Sequence, residues 1–238
     1  MVVLPIWKRQ HIANLALSWY ERQNCEIVVV GSEGHISRSF ARDHHYVEAA
    51  NHPLDAKYDV GIAYCEQFNP DAVSLVGCDD FITEDYFEWA MERISYDGYD
   101  VTGFLDFYIA DLSDWRIYYW GGYTRSKLIN EDRTGDSIGA GRVFSKKALQ
   151  SVNWRPFLTK GKYQHMYQDD ERAIANMPNA QCRFINMANI GCRYWAVKNG
   201  DEINGTQAFL DNYDNLVNVT EYTKRLFKQD LGLDTSVW

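Results

Sequence analysis

The chain is short of positive charge. Against 33 Asp and Glu it carries 24 Lys and Arg over 238 residues, for a formal net charge of −9. A protein that grips nucleic acid by its phosphates usually presents a basic face, so this balance argues against sequence-independent DNA affinity as the main activity. It leaves room for a local cationic groove. The five cysteines (Cys25, Cys65, Cys78, Cys182 and Cys192) are odd in number and include no C-x-x-C pair. That argues against a disulfide framework and a zinc knuckle, and fits a reducing cytoplasm. None of the six histidines, His44, His45 and His165 among them, has zinc spacing. No apolar run approaches the ~20 residues of a membrane-spanning helix. Apolar sequence begins at Val2, so no signal peptide and no membrane partner are expected. Repeats, low-complexity tracts and linkers are also missing, which predicts one domain over residues 1–238.

What the chain does have is apolar and aromatic mass. It is 46% hydrophobic and 15% aromatic, with eight Trp and sixteen Tyr. That suffices for a sizeable core, with flat amphipathic rings to spare for sugars or bases. Residues 2–6 read as a buried strand. Ile12, Leu15, Ala16 and Trp19 then recur at helical spacing to about Gln23, and residues 26–30 form a second apolar strand. Strand–helix–strand with continuous apolar strands predicts an α/β fold, a central mostly parallel sheet flanked by helices. A third strand is predicted over 46–49, a helix over 56–66 and a buried strand over 72–76. Thr83 is the expected N-cap of a helix carrying Phe87, Ala90, Met91 and Ile94 on one face. Residues 99–123 read as two or three strands, and 135–141 as a glycine-rich loop before a strand and a helix from Ser145. One helix is expected from near Asp169 to before Pro178, and one last amphipathic helix over 206–228.

Several groups bear chemistry. Asp79 and Asp80 follow the strand at 72–76 through Gly77. Adjacent residues of a regular strand point to opposite faces, so two neighbouring acids can serve one ligand only where the chain leaves β geometry. Gly77 offers that exit, at the strand edge where open α/β sheets bind ligands. Carboxylates there suit Mg²⁺ or Mn²⁺, with Asp80 the first candidate ligand and Asp79 its support; surface acids capping the next helix are the plainer alternative. A second acidic cluster, Asp169-Asp170-Glu171, opens the later helix. Its spacing sets Asp170 on the side of Ala173 and Ile174, as a candidate general base; macrodipole stabilisation explains it equally. Lys57 at a helix start, and Arg142 beside Gly139-Ala140-Gly141, are candidate phosphate contacts. Trp115, Tyr119, Trp120 and Tyr123 are candidate acceptor-binding rings, although some must be core.

In chain order these segments resemble the family 2-like glycosyltransferases of the GT-A fold, over roughly residues 2–175. Val3 through Arg9 looks like that family's nucleotide-binding start, and Asn51 through Gly61 is similar to its Asn- and Gly-containing segment, with Lys57 near the basic position. Val73 through Asp80 resembles the strand ending in Asp-x-Asp-Asp. Gly139 through Leu149 resembles the acceptor-side strand and helix, and Gln168-Asp169-Asp170 stands where the family has Glu-Asp. The chain departs in two places. Gly31-Ser32-Glu33 replaces the acidic pair that holds base and ribose, leaving Glu33 as a substitute, and Gly77 stands at the first Asp of the metal motif.

The resemblance implies a Rossmann-like domain with a nucleotide-sugar half (about 1–98), an acceptor half (about 99–205) and a C-terminal helix (about 206–228). It implies a metal-dependent, inverting transferase. The donor, a UDP-sugar first, would be held by Pro5, Trp7, Arg9, Glu33, Lys57, Asp79, Gly141 and Arg142, with a divalent cation on Asp80 and Asp79. Asp170, seconded by Asp169, would be the catalytic base. The chain also resembles small phage-encoded transferases, some of which glycosylate modified bases in DNA. The acceptor is thus a glycan or a hydroxymethylated base, and the setting a cytoplasm, the host's for a phage protein. A nucleotidyltransferase acting on a sugar phosphate, or a non-catalytic nucleotide- or carbohydrate-binding protein, are the competing readings.

Overall fold

The computed structural model describes residues 1–125, 132–158, 173–198 and 206–232. Its first strands show how the core divides. Strand β1 (Val2–Pro5) and strand β2 (Ile27–Gly31) are buried at every position and pair in parallel. Side chains alternate across a strand, and the two apolar clusters split accordingly. Val2, Leu4, Ile27 and Val29 pack with Ile12, Ala16, Leu17 and Tyr20 of helix α1 (Gln10–Glu21). Val3, Val28 and Val30 pack on the opposite face with Ile62 and Cys65 of helix α3 (Leu54–Cys65). Continuous apolar strands are therefore what two covered faces require.

Helix α2 (His35–Ala41) leads to strand β3 (His45–Glu48); β4 (Ala72–Leu75) and β5 (Asp80–Ile82) follow α3, and helix α4 (Glu84–Asp97) comes next. Strands β6 (Val101–Phe104), β7 (Phe107–Asp111) and β8 (Arg116–Trp120) form the middle of the chain. Strand β9 (Val143–Ser145) enters helix α5 (Lys146–Ser151), and strands β10 (Cys182–Ile185) and β11 (Tyr194–Lys198) come after it. The central sheet has the order β10-β6-β9-β4-β1-β2-β3. Within it β9 runs antiparallel to its neighbours β4 and β6, while the remaining pairs are parallel. The expected mostly parallel α/β sheet is present.

A second sheet, which has strand β12 (Leu216–Asn218) at its edge and the order β12-β8-β7-β11-β5, was not foreseen as a separate layer. The chain passes into it directly from the first: β4 ends at Leu75 and β5 begins at Asp80. The residues between them, Val76 to Asp79, therefore sit where the two sheets meet. Strand β11 closes the join, antiparallel to β5 with Ala196 opposite Asp80, and parallel to β7.

One expectation needs correction. The single helix over 206–228 is two helices, α6 (Thr206–Asn212) and α7 (Glu221–Leu231), separated by strand β12 (Leu216–Asn218). Leu216 and Val217 obey the helical period, yet they pair with Trp120 and Tyr119 of β8, a tertiary partner that local spacing cannot reveal. Helix α7 is fixed separately: Asp230 accepts two bonds from Arg193 (2.5 and 2.8 Å) and one from Trp195 Nε1 (2.9 Å). Helix α2, too polar to show a face, was missed. Thr83 is the N-cap residue of α4, but its hydroxyl makes no cap bond and instead accepts from the Arg193 N–H at 2.9 Å. Asp169, where a helix was expected to begin, lies outside the described residues; residues 173–175 are helical and the helical run ends before Pro178.

Helix α3 lies close on the sheet because Gly61 lacks a side chain. A Cβ there would stand 2.5 Å from Val3 Cγ1 and 2.6 Å from Val30 Cγ2. Both valines are buried and stiff at χ1. Gly61→Ala should therefore lower stability by about 1–2 kcal/mol, because overpacking outweighs the ~1 kcal/mol gain in helix propensity. A urea-unfolding midpoint that stays constant or rises would contradict this packing.

Candidate active site

The junction of the sheets is built around Gly77. Its N–H donates to Asp80 Oδ2 at 2.6 Å, and the Asp80 N–H donates back to the Gly77 carbonyl at 3.1 Å. A Cβ on Gly77 would lie 2.6 Å from Asp80 Oδ2 and 2.9 Å from Asp79 Oδ1. Both carboxylates therefore fold back over the glycine, which gathers two adjacent acids at one strand end. The glycine that departs from the family's acidic motif is the residue that makes room for the pair.

The two acids differ in surroundings. Asp79 Oδ2 accepts from Lys198 Nζ at 2.9 Å and from Arg9 Nη1 at 3.2 Å. Asp80 Oδ1 accepts from the Tyr194 hydroxyl at 2.8 Å, and the Asp80 carbonyl accepts from the Tyr20 hydroxyl at 2.8 Å. Burial alone would raise both carboxyl pKa values. At Asp79 the charges of Lys198 and Arg9 reverse that and hold it below the usual carboxylate range. At Asp80 burial and the adjacent Asp79 charge prevail, and its pKa is raised.

Arg9 reaches this place through an unusual backbone. Lys8 and Arg9 are both left-handed, with φ of 52° and 42°, between the end of β1 and the start of α1. Two successive non-glycine residues there are costly. Their effect is to turn the Arg9 guanidinium back over Cys78 Sγ (3.5 Å) and Asp79. Lys57 plays a different part. Its Nζ donates to the Ile6 carbonyl (2.7 Å), Ser32 Oγ (3.0 Å) and Asn51 Oδ1 (3.2 Å), tying together the ends of β1 and β2 and the loop before α3.

A cleft of about 1130 Å³ opens over these groups. Pro5, Trp7, Arg9, Lys57, Asp79, Asp80, Trp120 and Tyr123 of the predicted residues line it. Its far end is aromatic. Tyr194 stacks on Phe107 (5.1 Å between centroids), Phe107 meets Trp120 edge-on (4.9 Å), and Trp120 meets Tyr123 (4.9 Å). The Arg133 guanidinium lies 3.8 Å over the Tyr123 ring.

Other predicted residues stand elsewhere. Glu33 is outside the cleft lining and accepts from the Lys8 N–H at 2.9 Å. Gly141, with φ of 81°, is packed against Ile82 and Phe104, and its carbonyl accepts from the Tyr86 hydroxyl at 2.7 Å. Arg142 is fully buried, with Nε on Ser137 Oγ at 2.8 Å and Nη2 on the Ser137 carbonyl at 2.9 Å. Tyr119 neighbours Trp120 on β8 and so faces the other way, its hydroxyl donating to Asp106 at 2.7 Å. Trp115 sits in the β7–β8 turn. Asp169 and Asp170 lie outside the described residues. Sequence reasoning missed Lys198, Tyr194 and Arg133. The run Tyr194-Trp195-Ala196-Val197 ending in a lysine was a strand signal that could have led to two of them.

Asp80 and Asp79, the expected Mg²⁺ or Mn²⁺ ligands, are both engaged by protein groups. Asp79 is engaged by two cations and Asp80 by an N–H and a phenol. Among the described residues no group of three His, Cys, Asp or Glu is placed to hold a metal ion. Nor, among them, is any helix long and apolar enough to cross a membrane.

The α/β fold, with its central mostly parallel sheet flanked by helices, is similar to a glycosyltransferase fold of the GT-A type. The chain is similar to S. aureus TarS, a protein of that type, in a structure of its residues 1–349: TM-score 0.55, 15% identity, 82% of this chain and 59% of that one. It is similar to the same protein in complex with UDP-GlcNAc, with TM-score 0.52, 14% identity and coverage of 84% and 59%. A third TarS structure, in complex with UDP, matches with TM-score 0.52 and 13% identity. The chain thus spans 59% of the length of these neighbours. No family model matches the sequence, and no curated protein matches it either.

The buried Lys57 supplies a pH test. Burial lowers its pKa to about 8, outweighing nearby acids that favour the charge. Between that value and the ordinary ~10.4 the unfolded chain binds more protons, so raising the pH through this window stabilises the fold. Wild type should gain up to about 3 kcal/mol relative to Lys57→Met between pH 8 and 10.5, read from urea midpoints. A flat difference would contradict the assignment. Tyr194→Phe removes a donor to buried Asp80 and should cost about 1–3 kcal/mol in the same assay. An unchanged midpoint would mean that the bond carries no stability.

Proposed function

We propose that this chain is a glycosyltransferase that takes a sugar from a UDP-sugar. The observation that carries this reading is the cleft at the Gly77 junction. Although the protein has a net charge of −9, five cations against four carboxylates line the cleft. The cleft also lies at the C-terminal edge of β1 and β4, where open α/β sheets take nucleotides. The fold shared with TarS, whose structures hold UDP-GlcNAc and UDP, supports the choice of donor.

In this reading the base lies toward Trp7, Asn51 and His52, and the diphosphate toward Arg9 and Lys198. The aromatic end at Trp120 and Tyr123 takes the acceptor, a glycan or a hydroxymethylated base. The acceptor oxygen bonds to the anomeric carbon as the bond from that carbon to the diphosphate oxygen breaks. The electron pair leaves with the nucleoside diphosphate, and the acceptor proton passes to a carboxylate, with inversion. Asp170, the base that the resemblance to family 2 implies, is assigned that proton. This reading routes no step through a divalent cation, since Asp79 and Asp80 are engaged by protein groups.

Incubation with UDP-GlcNAc should release UDP, and Asp170→Asn should abolish transfer while UDP still raises the unfolding temperature, by the equivalent of about 2.7 kcal/mol at a hundredfold excess over Kd. Pyrophosphate released from UTP and a sugar phosphate would instead identify a nucleotidyltransferase. Retained transfer in Asp170→Asn would remove that residue as the base.

A further inference from the structure

We propose that the diphosphate in this cleft is neutralised by Lys198 and Arg9, positioned by Asp79, in place of a divalent cation. The inference rests on reading the cleft as a nucleotide-sugar site and departs from the metal dependence that an acidic pair at this strand end suggests. Departing diphosphate accumulates negative charge, and a transferase must meet it with something fixed and positive. A metal bound by two acids is one solution; cations positioned by an acid are another. The distances favour the second. Lys198 Nζ and Arg9 Nη1 are 2.9 and 3.2 Å from the same oxygen of Asp79, so both cations converge on one point beside the cleft. A divalent ion on Asp79 would have to displace them or sit against like charge.

Further features point the same way. The start of α1, where Gln10 and His11 line the cleft, has no acidic residue in its first turn and no side-chain cap. The partial positive charge of this helix end therefore borders the cleft that the two cations also line. Lys198 ends β11 and Arg9 precedes α1, so elements far apart in the chain bring the two cations to the one carboxylate oxygen. One diphosphate could bridge them. In this arrangement Asp79 is a positioning residue and the two cations are the binding residues. Asp80, bound by Gly77 and Tyr194, fixes the turn.

Inorganic pyrophosphate tests the site apart from the nucleotide. In calorimetric titration with EDTA present, wild type should bind pyrophosphate with a Kd within about threefold of that measured with Mn²⁺, and Lys198→Met should weaken it at least about tenfold. Lys198→Arg should restore binding to within a few-fold, and Arg9→Gln should weaken it independently. Should Lys198→Met not fold, as its melting curve would show, the Lys198→Arg and Arg9→Gln pair carries the test. Binding that requires Mn²⁺ or Mg²⁺, or no pyrophosphate binding under either condition, would overturn the proposal. UDP titrated in parallel separates the two claims. Pyrophosphate binding without UDP binding would sustain the cation site and defeat the UDP-sugar reading. Metal-dependent UDP binding would do the reverse.

Discussion

A buried carboxylate stays ionised only if opposite charge and hydrogen bonds replace the water it has lost. Asp79 meets that condition through Lys198 and Arg9, and much of the architecture serves the contact. The left-handed pair Lys8 and Arg9 turns one guanidinium inward, while β11, paired between β5 and β7, delivers the lysine from the far end of the chain. Gly77 leaves space for the acids themselves. Removing either cation leaves Asp79 with a desolvation cost poorly offset, so fold and site are coupled at this point.

The second sheet gives the cleft its opposite character. From Asp80 the contacts run through the Tyr194 hydroxyl to the rings of Phe107, Trp120 and Tyr123, a continuous aromatic surface leading away from the charges. Arg9, Lys198, Asp79 and Asp80 meet at the junction, and beyond them the rings pack on one another with Arg133 over Tyr123. A nucleoside diphosphate and a ring-shaped acceptor differ in just this way, which is what the proposed function asks of the cleft.

Much of the fold was legible because the first strands are apolar at every position and the intervening helix has a clear stripe. Periodicities of 2 and 3.6 are local properties. What escaped was non-local. Leu216 and Val217 carry a helical signal that pairing with β8 overrides. The cleft residues on β1, α3 and the Gly77 turn were visible from motif order, whereas Tyr194 and Lys198 join them across more than a hundred residues of chain. Tyr119 and Trp120 could have been separated by strand alternation alone; Arg142 could not, since its burial beside Ser137 depends on the packing of β6 and β9. The sequence shows two adjacent acids but not that Lys198 and Arg9 return to them.

The central claim is that Lys198 and Arg9 receive the diphosphate directly. A crystal structure grown with UDP in the presence of EDTA tests it most directly. The account predicts phosphate oxygens within hydrogen-bond distance of Lys198 Nζ and the Arg9 guanidinium, with Asp79 still behind them. A diphosphate that binds only after Mn²⁺ is added, bridged through the metal to Asp79 and Asp80 with the two cations displaced, would contradict it.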